Sequence, residues 1–295
     1  MATLRHLTPL DALYPARLRT LARPPASITI RGGSLEASCT VAIVGSRDAH
    51  AEASRFACDL AGTLSRYGIV IVSGGAVGID AAAHRGALEA GGRTWAVTGT
   101  GCEHCFPPEH ASLFDEIGKG PGAMFWPFAP SSAVRASAFL VRNRVLVALS
   151  DAVVVAQAGF PSGALRAAEC ARVARKPLWV VPAPPWLHGF AGSRQLLDAG
   201  ARALTGVEIL LRALQLPQTQ PQRQRQPENR SSIKDPIVSA VFDAVDTAPL
   251  HVDDIALRSH LTVQAAAVAL LTLALEAVVV EGPPGFFRRS ESGNP

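Results

Sequence analysis

Two short segments of this 295-residue chain bring glycine, hydroxyl and guanidinium groups together at spacings that suit anion chemistry: VAIVGSR at 41–47 and SGGAVGID at Ser73–Asp80. In the first, Gly45 lets the backbone turn sharply, Ser46 offers a hydroxyl and Arg47 a charged fork that matches phosphate oxygens. In the second, Gly74, Gly75 and Gly78 keep side chains away from an approaching group, and Ser73 can add a hydrogen bond. Either turn alone is equally what a tight strand-to-helix connection needs, so phosphate binding and plain turn geometry both remain open for each. Both turns follow apolar strands, and that placement favours the chemical reading.

The elements around them repeat a simple order of apolar strand, glycine-bearing turn and helix. Val41–Val44 leads into a helical stretch ending near Tyr67, and Ile69–Val72 into a helix from about Ile79 to Ala90. Further apolar strands are expected at Thr94–Val97, Ala152–Ala156 and Leu178–Val181, with Ser162-Gly163 opening an alanine-rich helix after the second of these. Nearly continuous apolar strands alternating with helices require a sheet covered on both faces. The expected fold class is therefore α/β, an extended Rossmann-like doubly wound and mostly parallel sheet. In such sheets ligands sit outside the carboxyl ends of the strands, where these turns fall.

Residues 1–40 read as a lead-in, 41–214 as the Rossmann-like domain, 215–234 as a flexible linker and 235–290 as a small winged-helix-like domain. The linker QLPQTQPQRQRQPENRSSIK has almost nothing to bury. Beyond it, helices are expected at Pro236–Val245, Val252–Ser259 and Leu261–Ala274, followed by a two-stranded wing at Val278–Val280 and Phe286–Arg289.

Charge is divided unevenly among these parts. Residues 1–214 hold 21 Lys/Arg against 15 Asp/Glu, residues 215–234 hold four against one, and residues 235–295 hold three against eight. A polyanion is attracted to the large domain and linker and repelled by the tail. Five cysteines in a chain this long fit a reducing cytoplasm better than a disulfide framework. Cys102 and Cys105 with His110 have no second ligand pair to complete a zinc site, so no metal is expected. Arg5, Arg17, Arg19 and Arg23 interrupt any secretory signal, and Gln264 and Glu276 interrupt the longest apolar run, so neither export nor membrane insertion is expected.

SGGAVGIDAAAHRGALEAGGRTWAV (73–97) resembles, almost position by position, the pattern SGLAxGIDxxAHxxALxxGGxTIAV of the DNA-processing protein A (DprA/Smf) family. YPARLRTLARPP (Tyr14–Pro25) and GSR fit the same family upstream. Phe106-Pro107, Arg142-Asn143-Arg144, Leu149-Ser150, Ser162-Gly163 and Val181-Pro182 follow in order. The resemblance covers roughly residues 14–212. It implies a cytoplasmic protein without catalytic residues or a cofactor, which binds single-stranded DNA, forms a homodimer through its Rossmann-like domain and helps load the RecA recombinase during recombination and natural transformation.

Carried onto this chain, the resemblance makes Arg47 the first phosphate clamp. Arg142 and Arg144 add positive charge, Asn143 positions them or a phosphate, and Ser162 and Gly163 complete the DNA-binding set. Phe139 is either a base-stacking ring or a core residue at the start of a helix. Asp80 and His84 lie one helical turn apart and are expected to pair with each other or with backbone rather than with a ligand. This chain departs from the family where Trp126-Pro127 replaces Ser-Glu, Gln157 replaces the Glu of VEA, and Ala167, His110 and Arg194 stand for Thr, Asn and Asn.

Two other function classes compete. A nucleotide hydrolase of the related phosphoribohydrolase type needs a glutamate where aligning its GT with Gly163-Ala164 puts Ala167, and without that carboxylate its acid–base chemistry lacks an agent. A nucleotide-sensing adaptor would act through the winged-helix tail, yet the third tail helix contains no Lys or Arg, which disfavours DNA reading by it. Neither a Walker GxxxxGK[ST] nor a GxGxxG motif occurs.

Overall fold

A computed structural model of the chain describes residues 4–215, 236–275, 278–282 and 285–290. In the large unit the order is β1 (Leu4–Leu7), α1 (Ala16–Arg19), β2 (Ile28–Gly32), β3 (Thr40–Gly45), α2 (Ala51–Arg66), β4 (Val70–Ser73), α3 (Ile79–Glu89), β5 (Thr94–Val97) and α4 (Ala111–Lys119). It continues with β6 (Ala123–Trp126), α5 (Ala136–Ala148), β7 (Ala152–Gln157), α6 (Gly163–Val173), β8 (Leu178–Val180), α7 (Ala191–Asp198), β9 (Arg202–Ala203) and α8 (Val207–Ala213).

Successive residues of a strand face opposite sides of a sheet, and the core divides on that parity. Ala42, Val44, Val153 and Val155 join one apolar layer with Val145 and Leu146 of α5 and Ala164 and Ala168 of α6. Val41, Ile43, Val154 and Ala156 join the other, with Ala57 and Leu64 of α2 and Ala83 of α3. Strands buried on both faces are why the sequence is continuously apolar there.

The sheet has nine strands among the described residues, ordered β1-β2-β6-β5-β4-β3-β7-β8-β9. From β6 to β9 all neighbours are parallel, which is the doubly wound, mostly parallel fold expected. The lead-in adds two strands not anticipated: β1 pairs antiparallel with β2, and β2 antiparallel with β6. Arg17 of α1 anchors that segment to the amino end of the sheet, donating to Asp151 Oδ1 at 2.6 Å and Thr40 Oγ1 at 2.9 Å.

From β3 the chain winds through β4 and β5 to β6, then returns to place β7 on the other side of β3. Connections therefore leave the carboxyl ends of β3 and β7 in opposite directions, which opens a crevice between them.

The second unit contains α9 (Pro236–Ala244), β10 (Leu250–His251), α10 (Val252–Arg258), α11 (Val263–Leu275), β11 (Val279–Glu281) and β12 (Phe286–Arg289). Its helices enclose Val241, Ile255, Leu270 and Leu273, all fully buried. The expected two-stranded wing is three-stranded, because Leu250 and His251 pair with Phe287 and Phe286 on the free edge of β12. The linker expected at 215–234 lies, apart from Gln215, outside the described residues. No single helix among the described residues is long and apolar enough to cross a membrane.

Candidate functional site

The crevice between β3 and β7 holds a pocket of about 410 Å³, lined by Gly45–Asp48, Ala76 and Asp80, Phe139, Arg142 and Asn143, and by Pro161–Ala164 with Ala167. That volume accommodates a small polar ligand or one unit of a polymer.

The two glycine turns press against one another at its edge. Ser46 N–H donates to the Gln157 carbonyl at 2.9 Å, and Ile79 N–H to the Ser46 carbonyl at 3.2 Å. Gly78, at φ +78°, sits so close to the Ser46 and Arg47 carbonyls that a Cβ there would collide with them. Gly74 is required for another reason, since a Cβ at that position would land on the Arg142 guanidinium. The SGG turn is thus the bed on which Arg142 lies.

Arg142 is 5% exposed and Asp80 4%. Their closest approach, Arg142 Nη1 to Asp80 Oδ2, is 3.8 Å, too long for a direct hydrogen bond. Burial pushes the Asp80 carboxyl up, against the pull of Arg142 and the Ala76 N–H, and it pushes the Arg142 guanidinium down, with repulsion from Arg47 in the same direction. Arg142 Nε has no hydrogen-bond partner among the described residues. A desolvated cation on the floor of an open pocket is stabilised by an incoming anion.

Phe139 is half-buried at the pocket wall, its ring 5.0 Å from the guanidinium carbon of Arg47 and 5.8 Å from that of Arg142. Phe106 lies 6.2 Å away in a tilted arrangement, and Gly99 leaves room for the ring edge. Phe139 is therefore not a fully buried core residue; it forms part of the pocket wall. Arg47 itself is exposed at the mouth.

The third wall is the start of α6. Ser162 caps that helix, its hydroxyl accepting from Leu165 N–H at 3.4 Å. Asn143 Nδ2 donates to the Gly163 carbonyl at 3.3 Å, which ties α5 to this turn. Gly163 is exposed with open space above it, so the positive end of an eleven-residue helix faces the pocket.

Other expected site residues stand elsewhere. Ser73 is fully buried and donates to the Ile43 carbonyl at 2.6 Å, while Gly75 faces Phe114; neither lines the pocket. Arg144, two residues beyond Arg142 and so on nearly the opposite side of α5, is exposed and is also outside the lining. Of the two structural roles expected for Asp80 and His84, pairing with each other is not seen: Asp80 accepts from the Ala76 N–H at 3.4 Å, a backbone contact as expected, and lies 3.8 Å from Arg142, while His84 Nδ1 meets Thr94 Oγ1 at 2.7 Å. Burial holds His84 neutral, its pKa lowered to about 3. His110 Nδ1 lies 2.9 Å from the Gly75 carbonyl and braces the glycine turn. Gln157, where the family has Glu, accepts from His50 N–H at 2.8 Å and donates to the Gly189 carbonyl at 3.3 Å, so it joins three loops at the carboxyl rim.

Asp80 as the counter-charge beneath Arg142 was missed by sequence reasoning. The available signal was one acid inside a glycine turn together with an arginine on a mostly apolar helix. The acids lining the pocket are Asp48 and Asp80, and Ala167 presents only a methyl group. No group of three or more His, Cys, Asp or Glu among the described residues is arranged to hold a metal.

Residues 5–215 match the family described as DNA recombination-mediator protein A, and residues 220–285 match the DprA winged helix domain. The chain is 39% identical over 170 residues to a putative DNA processing protein DprA of Mycobacterium tuberculosis, a match covering 58% of this chain and 43% of that protein. It therefore spans under half the length of that relative. DNA processing protein A of Streptococcus pneumoniae has a similar X-ray structure, with TM-score 0.66, 31% identity and coverage of 71% of this chain and 74% of that one. The protein of the same name from Helicobacter pylori, a structure concerned with its single-stranded DNA binding mode, gives TM-score 0.65 and 28% identity over 72% and 96% of the two chains. With its large unit and its winged helix both matched, this chain belongs to the DNA recombination-mediator protein A family.

Proposed function

We propose that the pocket between β3 and β7 binds single-stranded DNA, and that the protein works as a homodimer that protects the strand and assists RecA loading, without catalysing a reaction of its own. The observation that carries this reading is the buried Arg142, 3.8 Å from Asp80, lining a pocket whose wall is an aromatic ring. A phosphate accepts from Arg142, Arg47 and the first N–H groups of α6. A base from the same strand stacks on Phe139, a contact that tolerates any sequence because every base has a π face. A duplex presents its phosphates but withholds base faces, so it meets only half of the site.

The related Helicobacter pylori protein lends support through its single-stranded DNA binding mode, and the RecA and dimer components rest on family membership. Gel shift with single strand and duplex, run beside thermal shift with mononucleotides, tests the ligand class. Single-strand retardation without mononucleotide stabilisation is expected, and a mononucleotide response alone would favour the nucleotide-sensing alternative. RecA filament assembly on strands coated with single-strand-binding protein tests the second part: faster assembly is expected with this protein present, and an unchanged rate would reject the loading role.

A further inference from the structure

Three of the four tryptophans, Trp95, Trp126 and Trp179, are 1%, 7% and 4% exposed, whereas Trp186 is 78% exposed. Phe160 is 67% exposed. Single exposed aliphatic side chains are ordinary on a protein surface, but a Trp and a Phe this bare leave large apolar areas in water.

Both rings stand on loops at the carboxyl rim of the sheet. Phe160 follows β7 and immediately precedes Pro161 and Ser162, which line the pocket. Trp186 lies on the loop after β8, and the two loops are fastened together. Ser193 N–H donates to the Ala158 carbonyl at 3.0 Å, Ala158 N–H to Ser193 Oγ at 2.9 Å, and Gln157 Nε2 to the Gly189 carbonyl. Arg194 Nη1 donates to the Leu187 carbonyl at 3.3 Å, directly beside Trp186, and Leu187 and Phe190 pack into the core below. The backbone is therefore held while the indole stands free, and a preorganised ring loses little entropy on binding.

Charge identifies the occupant. Phe160 stands at one end of a groove along α6 and α7 that also carries Arg166, Arg172, Arg175, Lys176 and Arg202, its one lining acid being Glu169, already bonded to Arg172 at 2.7 Å, and Arg194 reaches the loop of Trp186. Flat apolar rings in a positively charged surround fit a polyanion that carries stackable bases.

We propose that Phe160 and Trp186 form a second base-stacking platform, reached by a single strand that leaves the Arg142 pocket past Pro161 and continues along the carboxyl ends of β7 and β8. This rests on the pocket binding single-stranded DNA, and the test separates the two ideas.

The full chain is titrated with oligothymidines of about 4 and about 16 nucleotides, following tryptophan emission and, in parallel, anisotropy of a labelled end. With the other indoles buried, quenching reports Trp186. The longer oligonucleotide is expected to quench and the shorter to bind without quenching. Trp186→Ala should weaken the longer one about fivefold or more and leave the shorter unchanged, while Trp186→Phe keeps the affinity and loses the quenching. Arg47→Ala should weaken both lengths. If Trp186→Ala changes neither length, or both equally, while Arg47→Ala still weakens both, the platform is disproved and the pocket stands. A Trp186→Ala variant that dissociates from a larger assembly, with its DNA affinity intact, would make the ring a protein contact and equally overturn the proposal. Failure of the native chain to bind either length removes both ideas.

Discussion

The guanidinium of Arg47, at the mouth of the pocket, lies 5.0 Å from the ring centroid of Phe139, so the exposed cation and the aromatic wall form one surface rather than two separate contacts. Cation–ring attraction of about 0.5–1 kcal/mol at an exposed site holds the arginine at the pocket mouth. Phe139→Leu is therefore expected to weaken single-strand binding by more than the lost base stack alone, and Phe139→Tyr to preserve it. A double-mutant cycle with Arg47→Ala checks this; strictly additive losses would mean that the two residues act independently.

Arg142 and Asp80 make a buried pair whose members are costly to leave alone. Arg142→Met should destabilise the large unit by about 3–5 kcal/mol in urea unfolding, because Asp80 then remains buried without its cation. Combining it with Asp80→Asn should recover much of the stability and none of the DNA binding. Equal stability of the single and double variants would show that Asp80 is not the counter-charge.

Gly74→Ala puts a methyl group where the Arg142 guanidinium lies. Overpacking of this kind costs about 1–3 kcal/mol. Displacement of the arginine should also lower DNA affinity, whereas Gly163→Ala, whose Cβ meets open space, should leave the fold unchanged. Thermal melts and binding titrations of the two variants side by side distinguish a shaped floor from a tolerant one.

His84 gives the large unit an acid sensitivity of defined sign. Its pKa in the folded chain is about 3 against 6.5 for the free group, so between these values the unfolded chain binds more protons and stability falls as pH is lowered. The slope is at most about 1.4 kcal/mol per pH unit from this one group. Asp80, raised by burial, contributes with the opposite sign above its ordinary value of 3.8. The comparison of native chain with His84→Asn isolates the histidine: the variant should lose part of the pH dependence between 6.5 and 3. Parallel curves for the two proteins would contradict a buried neutral His84.

Charge distribution sets the expectation for the two units. A chain ending at Leu214 should retain most single-strand affinity, and a chain starting at Asp235 should have none, since residues 235–295 hold three basic residues against eight acidic ones. Arg223, Arg225, Arg230 and Lys234 are expected to add a nonspecific electrostatic contribution that falls first as salt rises, since charge interactions through solvent are screened beyond about 8 Å at physiological ionic strength. Tail binding as tight as that of the full chain would move the site out of the large unit.

The sheet was legible in the sequence because Val41–Val44, Ile69–Val72 and Ala152–Ala156 are apolar on both parities, a pattern that suits strands covered on two faces. The turns were legible because glycine after such strands has few other uses. Antiparallel β1 and β2 were not, since four and five residues of mixed character carry no strong period. Ser73 illustrates a different limit: a serine beside glycines looks like a ligand donor, yet its hydroxyl is consumed by Ile43, a partner thirty positions away. The depth of Arg142 was equally hidden, because α5 is apolar on most of its circumference and gives no polar face on which to place it. The Asp80–Arg142 relation spans two elements, and helical spacing within one element pointed to His84 instead.

The most direct measurement is fluorescence anisotropy of a labelled oligothymidine against a duplex of equal length, at two salt concentrations, for the native chain and Arg47→Ala. Preference for the single strand is expected, together with a loss of about tenfold or more in the variant and a salt slope smaller by about 0.7 for the phosphate contact removed. Equal affinity of the native chain for single strand and duplex, with an unchanged slope in Arg47→Ala, would contradict the assignment of this pocket to single-stranded DNA.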